Sequence, residues 1–175
     1  MFDLEKGYIH IYTGDGKGKT TAAVGLCYRC ANRGFKVGIT SFLKDFDSGE
    51  YLGNPPFHIF KALPFKGFWR DKNESEKANL KAEAKERLAF IFQTAKEDSY
   101  DCIALDEIFD AISVGCIKES DLLTYLTEKP IGLEVILTGR TPSEAFYELA
   151  DYISEIKAIK HPYTKGVKAR VGIEK

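Results

Sequence analysis

Eight residues near the start of the chain, Thr13-Gly14-Asp15-Gly16-Lys17-Gly18-Lys19-Thr20 (TGDGKGKT), decide the fold. The segment before them, residues 7–13 (GYIHIYT), is rich in β-branched and aromatic side chains and predicts a strand. The segment after them, residues 18–33, has apolar side chains at helical spacing and stops at Gly34, which predicts a helix. A glycine-rich turn between a strand and a helix is the setting of a loop that binds phosphate groups.

The residue types of this loop suit phosphate binding. Its glycines allow backbone N–H groups to point at one anion, and the following helix adds a partial positive charge. Lys19 supplies a full charge, the Thr20 hydroxyl is placed to bind Mg²⁺, and Thr21 is placed to contact a phosphate. A glycine-rich turn without a ligand is the alternative, and the Gly-Lys-Thr ending disfavours it. The predicted nucleotide-binding residues of the loop are Thr13, Gly14, Asp15, Gly16, Lys17, Gly18, Lys19, Thr20 and Thr21.

A pair of acidic residues follows a second predicted strand. Residues 100–105 (YDCIAL) form an apolar run that ends in Asp106 and Glu107. Ligands of parallel sheets gather at the carboxyl ends of the strands, so we expect both carboxylates to face the same crevice as Lys19. We predict that they hold Mg²⁺, directly or through water. The alternative for one of the two is a cap on the next helix.

Strand and helix patterns alternate along the whole chain, and several strand segments are apolar on both faces. The other predicted strands are residues 36–43, 57–62, 133–138 and 151–159, and the other predicted helices are residues 73–97, 107–126 (one or two helices) and 142–149. This alternation is typical of a parallel sheet covered on both sides. We therefore expect a single α/β domain over residues 1–175. It is P-loop NTPase-like (RecA-like), with a mostly parallel sheet of about six strands and helices on both faces.

Two local features are also expected. Thr141 is the predicted cap of the helix at residues 142–149, with Pro142 at its first position. Residues 45–56 are polar and rich in turn formers, which predicts an exposed loop.

Composition excludes several classes of protein. The net charge is −1 over 175 residues, so no global attraction to nucleic acid or to an anionic membrane is expected. No apolar run approaches the roughly 20 residues that span a bilayer, and residues 1–7 lack the apolar segment of a signal peptide. A cytoplasmic protein is expected.

The cysteines are Cys27, Cys30, Cys102 and Cys116. The C-x-x-C pair lies within a helical pattern, so buried, reduced thiols are favoured over metal or redox chemistry.

Four further features are candidates for the site. Arg140 directly follows a predicted strand, where a charge is well placed for a ligand. Arg29 lies on the first helix, and its residue pattern alone favours a solvated charge over a ligand contact. The aromatic segment at residues 63–70, with Phe68 and Trp69, either forms a small apolar cluster or covers a large flat ligand. His161 lies in a basic C-terminal tail that is either a phosphate-contacting arm or a solvated edge.

Six segments together resemble one family, the P-loop corrinoid adenosyltransferases, which act on cob(I)alamin and cob(I)yrinic acid a,c-diamide. The segments are residues 12–23 with Gly25 and Arg29, residues 105–107, 135–140, 150–155, 160–163 and 166–174. The resemblance runs nearly end to end. Thr13, where most P-loops have their first glycine, matches this family's own pattern.

The resemblance implies that the 5′-deoxyadenosyl group of ATP is transferred to cobalt and that triphosphate is released. It implies catalytic roles for Lys19, Glu107 and Arg140, and nucleotide contacts by Arg29 and Arg140. Family members carry Gly-Phe-x-Trp on the corrinoid side, and this chain has Gly67-Phe68-Trp69, one residue shorter. Phe68, Trp69 and His161 are accordingly expected to bind the corrinoid.

The same resemblance implies the substrates and partners. These are ATP, Mg²⁺, a reduced corrinoid, an electron donor such as a flavoprotein, and a second copy of the chain in a homodimer. Nucleic acid and membrane are not expected as partners. Two alternatives remain open from sequence: a P-loop kinase or NTPase acting on another small molecule, and a RecA-like ATPase module that binds protein or nucleic acid.

Overall fold

The computed structural model describes residues 5–45 and 48–174. Its strands are β1 (Ile9–Thr13), β2 (Val37–Ser41), β3 (His58–Ile59), β4 (Cys102–Asp106), β5 (Glu134–Thr138) and β6 (Tyr152–Glu155). They form one sheet in the order β3-β2-β4-β5-β1-β6. Each neighbouring pair is parallel, which confirms the predicted α/β architecture.

The helices are α1 (Lys19–Ala31), α2 (Glu74–Glu97), α3 (Ile108–Ser113), α4 (Glu119–Thr127) and α5 (Glu144–Leu149). Short 3₁₀ turns occur at Gly49–Tyr51, Trp69–Asp71 and Pro162–Lys165. The start of α2 is fixed by a capping box. The Asn73 side chain accepts a hydrogen bond from the Glu76 backbone N–H (2.9 Å), and the Asn73 N–H donates to Glu76 Oε2 (2.9 Å).

The sheet separates two apolar layers, because successive side chains of a strand point to opposite faces. On one face, Ile103 and Leu105 of β4 pack in the cluster that includes α2, α3 and α4. On the other face, Cys102 and Ala104 pack with Ala23 and other residues of α1. The central strands β2 and β4 are buried at every position, whereas the edge strand β6 is exposed at every position. The free thiols agree with this picture: Cys27, Cys102 and Cys116 are buried and Cys30 is partly buried.

The predicted start of the helix at residues 142–149 is wrong. The N-cap of α5 is Ser143, and Thr141 adopts a left-handed backbone with φ of 48°. The chain leaves β5 through Gly139, whose φ is 141°, so two unusual backbone angles delay the helix until Glu144. The Ser143 hydroxyl does not cap the helix; it donates instead to Glu119 Oε1 (2.7 Å).

Three other predicted segments differ from the structure. The strand predicted at residues 57–62 is only two residues long, β3 (His58–Ile59). Strand β6 ends at Glu155 rather than 159, because Ile156 turns away to accept a hydrogen bond from the Gly16 N–H (2.8 Å). The expected exposed loop at 45–56 is wrong for Ser48 and Tyr51, which are 2% and 6% exposed. Residues 46–47 of that loop, residues 1–4 of the N-terminal segment, and residue 175 of the tail lie outside the described residues. In the described part of the chain, none of the helices has both the length and the apolar character to cross a bilayer.

The capping box gives a stability prediction. Asn73→Ala removes the hydrogen bond that the Glu76 N–H donates to the Asn73 side chain, and it should lower the free energy of unfolding by about 1 kcal/mol. For a chain of this size the melting temperature should fall by roughly 2–4 °C, measured by circular dichroism. Asn54→Ala, at an exposed loop position, is the matched control. Equal melting temperatures for the two variants would contradict the assigned cap.

Candidate functional site

The phosphate-loop candidate connects β1 to α1, as the sequence predicts. Gly14 has φ of 105°, and an added Cβ would lie 2.4 Å from the Ile156 carbonyl oxygen. A side chain is therefore excluded both by backbone strain and by lack of space. Helix α1 begins after Gly18, which has no side chain and so gives the helix no cap hydrogen bond. The N–H groups of the first turn thus remain available to an anion.

Lys19 lies at the mouth of this loop. Its ammonium donates hydrogen bonds to the carbonyl oxygens of Gly14 (2.7 Å) and Gly16 (3.0 Å). Burial lowers the pKa of Lys19, the nearby Arg140 lowers it further, and Asp110 opposes both effects. A half-buried cation next to a helix N-terminus is a strong attractor for phosphate groups.

Asp106 lies at the centre of the polar site and is fully buried. It accepts hydrogen bonds from the hydroxyls of Thr20 (2.9 Å), Thr138 (2.7 Å) and Ser41 (3.2 Å). Two of the three predicted metal ligands, Thr20 and Asp106, are therefore brought together, and β2 and β5 support them from either side.

The oxygen atoms at this point suit Mg²⁺. The carboxylate of Asp106 and the hydroxyl of Thr20 are hard ligands, and Glu107 follows directly. Within residues 5–45 and 48–174, no cluster of three or more His, Cys, Asp or Glu is arranged to hold a metal. Mg²⁺ at nucleotide sites needs only one or two carboxylates, because phosphate and water oxygens complete its shell.

Glu107 adopts an unusual backbone with φ of 58°, between β4 and α3. Its N–H donates to Thr138 Oγ1 (2.8 Å), and its side chain makes no cap bond to α3. The helix-cap alternative therefore does not describe this residue. Burial and the adjacent Asp106 raise the pKa of Glu107 to about 7.

Arg140 stands at the exit from β5, as expected, and its partner there is Asp110 of α3. The Arg140 N–H donates to Asp110 Oδ2 (3.1 Å), and Arg140 Nη1 lies 3.6 Å from Asp110 Oδ1. Asp110 was not predicted. Its signal in the sequence is position, since it lies in the first turn of the helix that follows Asp106 and Glu107.

The C-terminal tail forms one wall of the site. The Ile156 N–H donates to Thr13 O (2.8 Å), and the Ala158 N–H donates to Asp15 Oδ1 (3.0 Å). Near the end of the tail, Lys17 Nζ lies 3.1 Å from Glu174 Oε1. The tail thus runs along the phosphate loop, while its basic side chains remain exposed to solvent.

These parts enclose a cleft of about 870 Å³, a size typical of small-molecule sites. The predicted residues that line it are Asp15, Gly16, Lys17, Gly18, Lys19, Thr20, Thr21, Glu107, Arg140 and His161. Residues that sequence reasoning did not assign also line it: Lys44, Ser48, Gly49, Glu50, Asp110, Thr138, Lys160, Lys168, Arg170 and Glu174. Thr13 is buried and Gly14 is partly buried, and neither lines the cleft. Asp106 lies beneath Thr20.

Three further predicted residues, Arg29, Phe68 and Trp69, are also absent from the cleft lining. Arg29 is exposed in the last turn of α1, far along the helix from Lys19. Phe68 is 64% exposed, and Trp69 packs partly against the core. Their aromatic segment is nevertheless tied to the same end of the sheet, because the Phe65 N–H donates to Asp45 Oδ1 (2.6 Å), next to Lys44 of the cleft.

Comparisons with known proteins give one consistent result. The family described as ATP:corrinoid adenosyltransferase BtuR/CobO/CobP matches residues 5–174. The corrinoid adenosyltransferase of Escherichia coli K12 is 35% identical, covering 97% of this chain and 86% of that protein. Corrinoid adenosyltransferase CobA of Salmonella typhimurium LT2 is 32% identical with the same coverage. The corrinoid adenosyltransferase of Pseudomonas aeruginosa is 29% identical, covering 97% of this chain and 84% of that protein.

The raised pKa of Glu107 predicts the pH dependence of stability in metal-free protein. Because the pKa of Glu107 is raised from its ordinary value of 4.5 to about 7, the folded state keeps the Glu107 proton across this pH interval, whereas the unfolded state has lost it. The contribution of Glu107 to stability should therefore fall as pH rises through this interval, on the order of 2 kcal/mol.

The measurement is chemical denaturation in EDTA at pH 4.5 to 7.5, with Glu107→Gln as the comparison. Because glutamine does not titrate, the variant should gain stability relative to the parent protein as pH rises. A difference between the two proteins that stays constant with pH would contradict the burial of this carboxylate.

Proposed function

The chain belongs to the ATP:corrinoid adenosyltransferase family, and we propose that it transfers the 5′-deoxyadenosyl group of ATP to a reduced corrinoid with release of triphosphate. Co(I) of the substrate supplies the electron pair of the new bond to C5′. The C5′–O5′ bond breaks, its electrons leave with the triphosphate, and cobalt becomes Co(III). Since Co(I) is already a strong nucleophile, the attack needs no general base from the protein.

The protein's task is then to align C5′ with cobalt and to stabilise charge on the departing triphosphate. One observation carries the proposal: Lys19, Glu107 and Arg140, from three different parts of the chain, line a single cleft beside an open helix N-terminus. Lys19 and the loop N–H groups bind the phosphates, and Arg140, which lies near Lys19 in the cleft, contacts them as well. Glu107 helps to place the nucleotide.

Mg²⁺ is the proposed metal of this site. Thr20 and Asp106 would hold it, with Glu107 acting directly or through water. When bound, Mg²⁺ neutralises charge that develops on the triphosphate oxygens. The support is the chemistry of the donor set: a buried carboxylate and a hydroxyl 2.9 Å apart at the N-terminus of α1.

The corrinoid is proposed to bind at the open side of the cleft. His161 lines the cleft, and the exposed ring of Phe68 lies on a segment anchored at Asp45. An exposed aromatic ring suits contact with a corrin ring, and Trp69, which packs partly against the core, supports the segment.

The remaining partners are proposed from the same reaction. A Co(I) corrinoid requires an electron donor, such as a flavoprotein, and the family resemblance favours a homodimer and a cytoplasmic location. The net charge of −1 supports small-molecule substrates rather than nucleic acid.

The proposal is tested by incubating the protein with ATP, Mg²⁺ and chemically reduced cobalamin. The cobalamin spectrum should change as the Co–C bond forms, and intact triphosphate should appear in equal amount. Omission of the reductant is the control, because Co(II) or Co(III) cannot attack C5′. Formation of ADP and phosphate without a spectral change would reject the proposal in favour of a kinase or NTPase.

Lys19→Ala should lower kcat/KM for ATP by about 100-fold or more, since it removes the charge that faces the leaving group. Lys85→Ala, at an exposed position of α2, is the matched control and should change kcat/KM by less than about twofold. Circular dichroism of both variants shows whether the fold is kept. Full activity of folded Lys19→Ala would remove this lysine from the mechanism.

A further inference from the structure

Arg140 is anchored to the protein through Asp110 at two points. The Asp110 carboxylate accepts the backbone N–H of Arg140 with one oxygen (3.1 Å), and its other oxygen lies 3.6 Å from the guanidinium. The Arg140 side chain is 62% exposed, whereas that of Asp110 is 26% exposed. The carboxylate is therefore the more fixed member of the pair.

The fold forces this contact. Helix α3 packs so closely against the exit from β5 that a Cβ on Gly139 would lie 2.8 Å from Asp110 Oδ2 and 3.0 Å from the Phe109 nitrogen. Gly139 has φ of 141°, which a residue with a side chain rarely adopts. The turn that carries Arg140 is thus set against α3, with Asp110 at the point of contact.

Asp110 also faces the cleft, where Lys19 and Arg140 are the nearby cations and Glu107 is the nearby acid. An exposed arginine has many side-chain conformations, and holding one of them costs up to about 2 kcal/mol of entropy. A carboxylate that fixes the base of the side chain and attracts its head reduces the number of these conformations. The conformations that remain keep the guanidinium at the cleft wall.

We propose that Asp110 is a positioning residue that holds Arg140 in reach of the nucleotide phosphates. It acts through Arg140 and contacts no substrate itself. The proposal rests on the proposed function in one respect: it takes the ligand that binds near Arg140 to be a triphosphate.

A double-mutant cycle tests this role. Asp110→Ala and Asp110→Asn are made in the parent protein and in the Arg140→Ala background. The readouts are kcat/KM for ATP in the adenosylation assay and the equilibrium dissociation constant of inorganic tripolyphosphate. Glu86→Gln, which removes one exposed negative charge of α2, is the control for net charge.

In the parent background, Asp110→Ala should weaken tripolyphosphate binding and lower kcat/KM by about 5–10-fold. Asp110→Asn keeps an acceptor for the Arg140 N–H and should stay within about threefold of the parent protein. With Arg140→Ala, both Asp110 substitutions should change either readout by less than about twofold. Glu86→Gln should match the parent protein.

Equal losses in the two backgrounds would overturn the proposal, because they would mean that Asp110 supports the fold or binds the ligand without Arg140. Failure of the parent protein to bind tripolyphosphate would overturn it as well. If the parent protein binds tripolyphosphate but adenosylates no corrinoid, the proposed function fails while the binding cycle still decides the role of Asp110.

Discussion

The site is built around one buried negative charge, the carboxylate of Asp106 at the end of β4. Burying a carboxylate is costly unless hydrogen bonds compensate it, and here hydroxyls from α1, β2 and β5 donate to it. These donors fix the relative positions of the phosphate loop and the two strands that flank β4. Hydroxyl dipoles compensate a full charge only in part, which supports the proposed Mg²⁺ beside Thr20. The metal would then complete a centre that the apolar sheet already holds in place.

The sequence predicts this centre well because its signals are local. A strand, a glycine loop and a helix are adjacent in the chain, and the apolar run before Asp106 marks a buried strand. In a parallel sheet, the carboxyl ends of the strands share one edge, so Thr20 and Asp106 had to approach each other although 86 residues separate them. The alternation of strand and helix patterns is also a local signal, and it predicted the parallel architecture.

Features that depend on long-range backbone contacts were not predictable. The early end of β6 and the course of the tail follow from the bond between Gly16 and Ile156, which no local pattern announces. The wrong cap at Thr141 arose because Ser, Thr and Pro favour helix starts, yet the packing of Gly139 against α3 gives Thr141 a left-handed backbone. That packing also creates the contact between Asp110 and Arg140. Local propensity thus failed where tertiary contacts set the backbone angles, and these places surround the cleft.

The proposed phosphate site and the segments proposed to meet the corrinoid differ in how many buried contacts hold them. On the phosphate side, the functional groups belong to the sheet and its first helices, and buried hydrogen bonds connect them. On the proposed corrinoid side, Phe68 is 64% exposed and the tail after β6 has no buried residue in its described part. A triphosphate is small and highly charged, so fixed donors bind it without reorganisation. A corrin ring is broad and mostly apolar, and surface segments with few anchors can adjust to it. The described residues therefore hold the proposed triphosphate site firmly and leave the proposed corrinoid side with few anchors, and we expect this division to suit the proposed transfer.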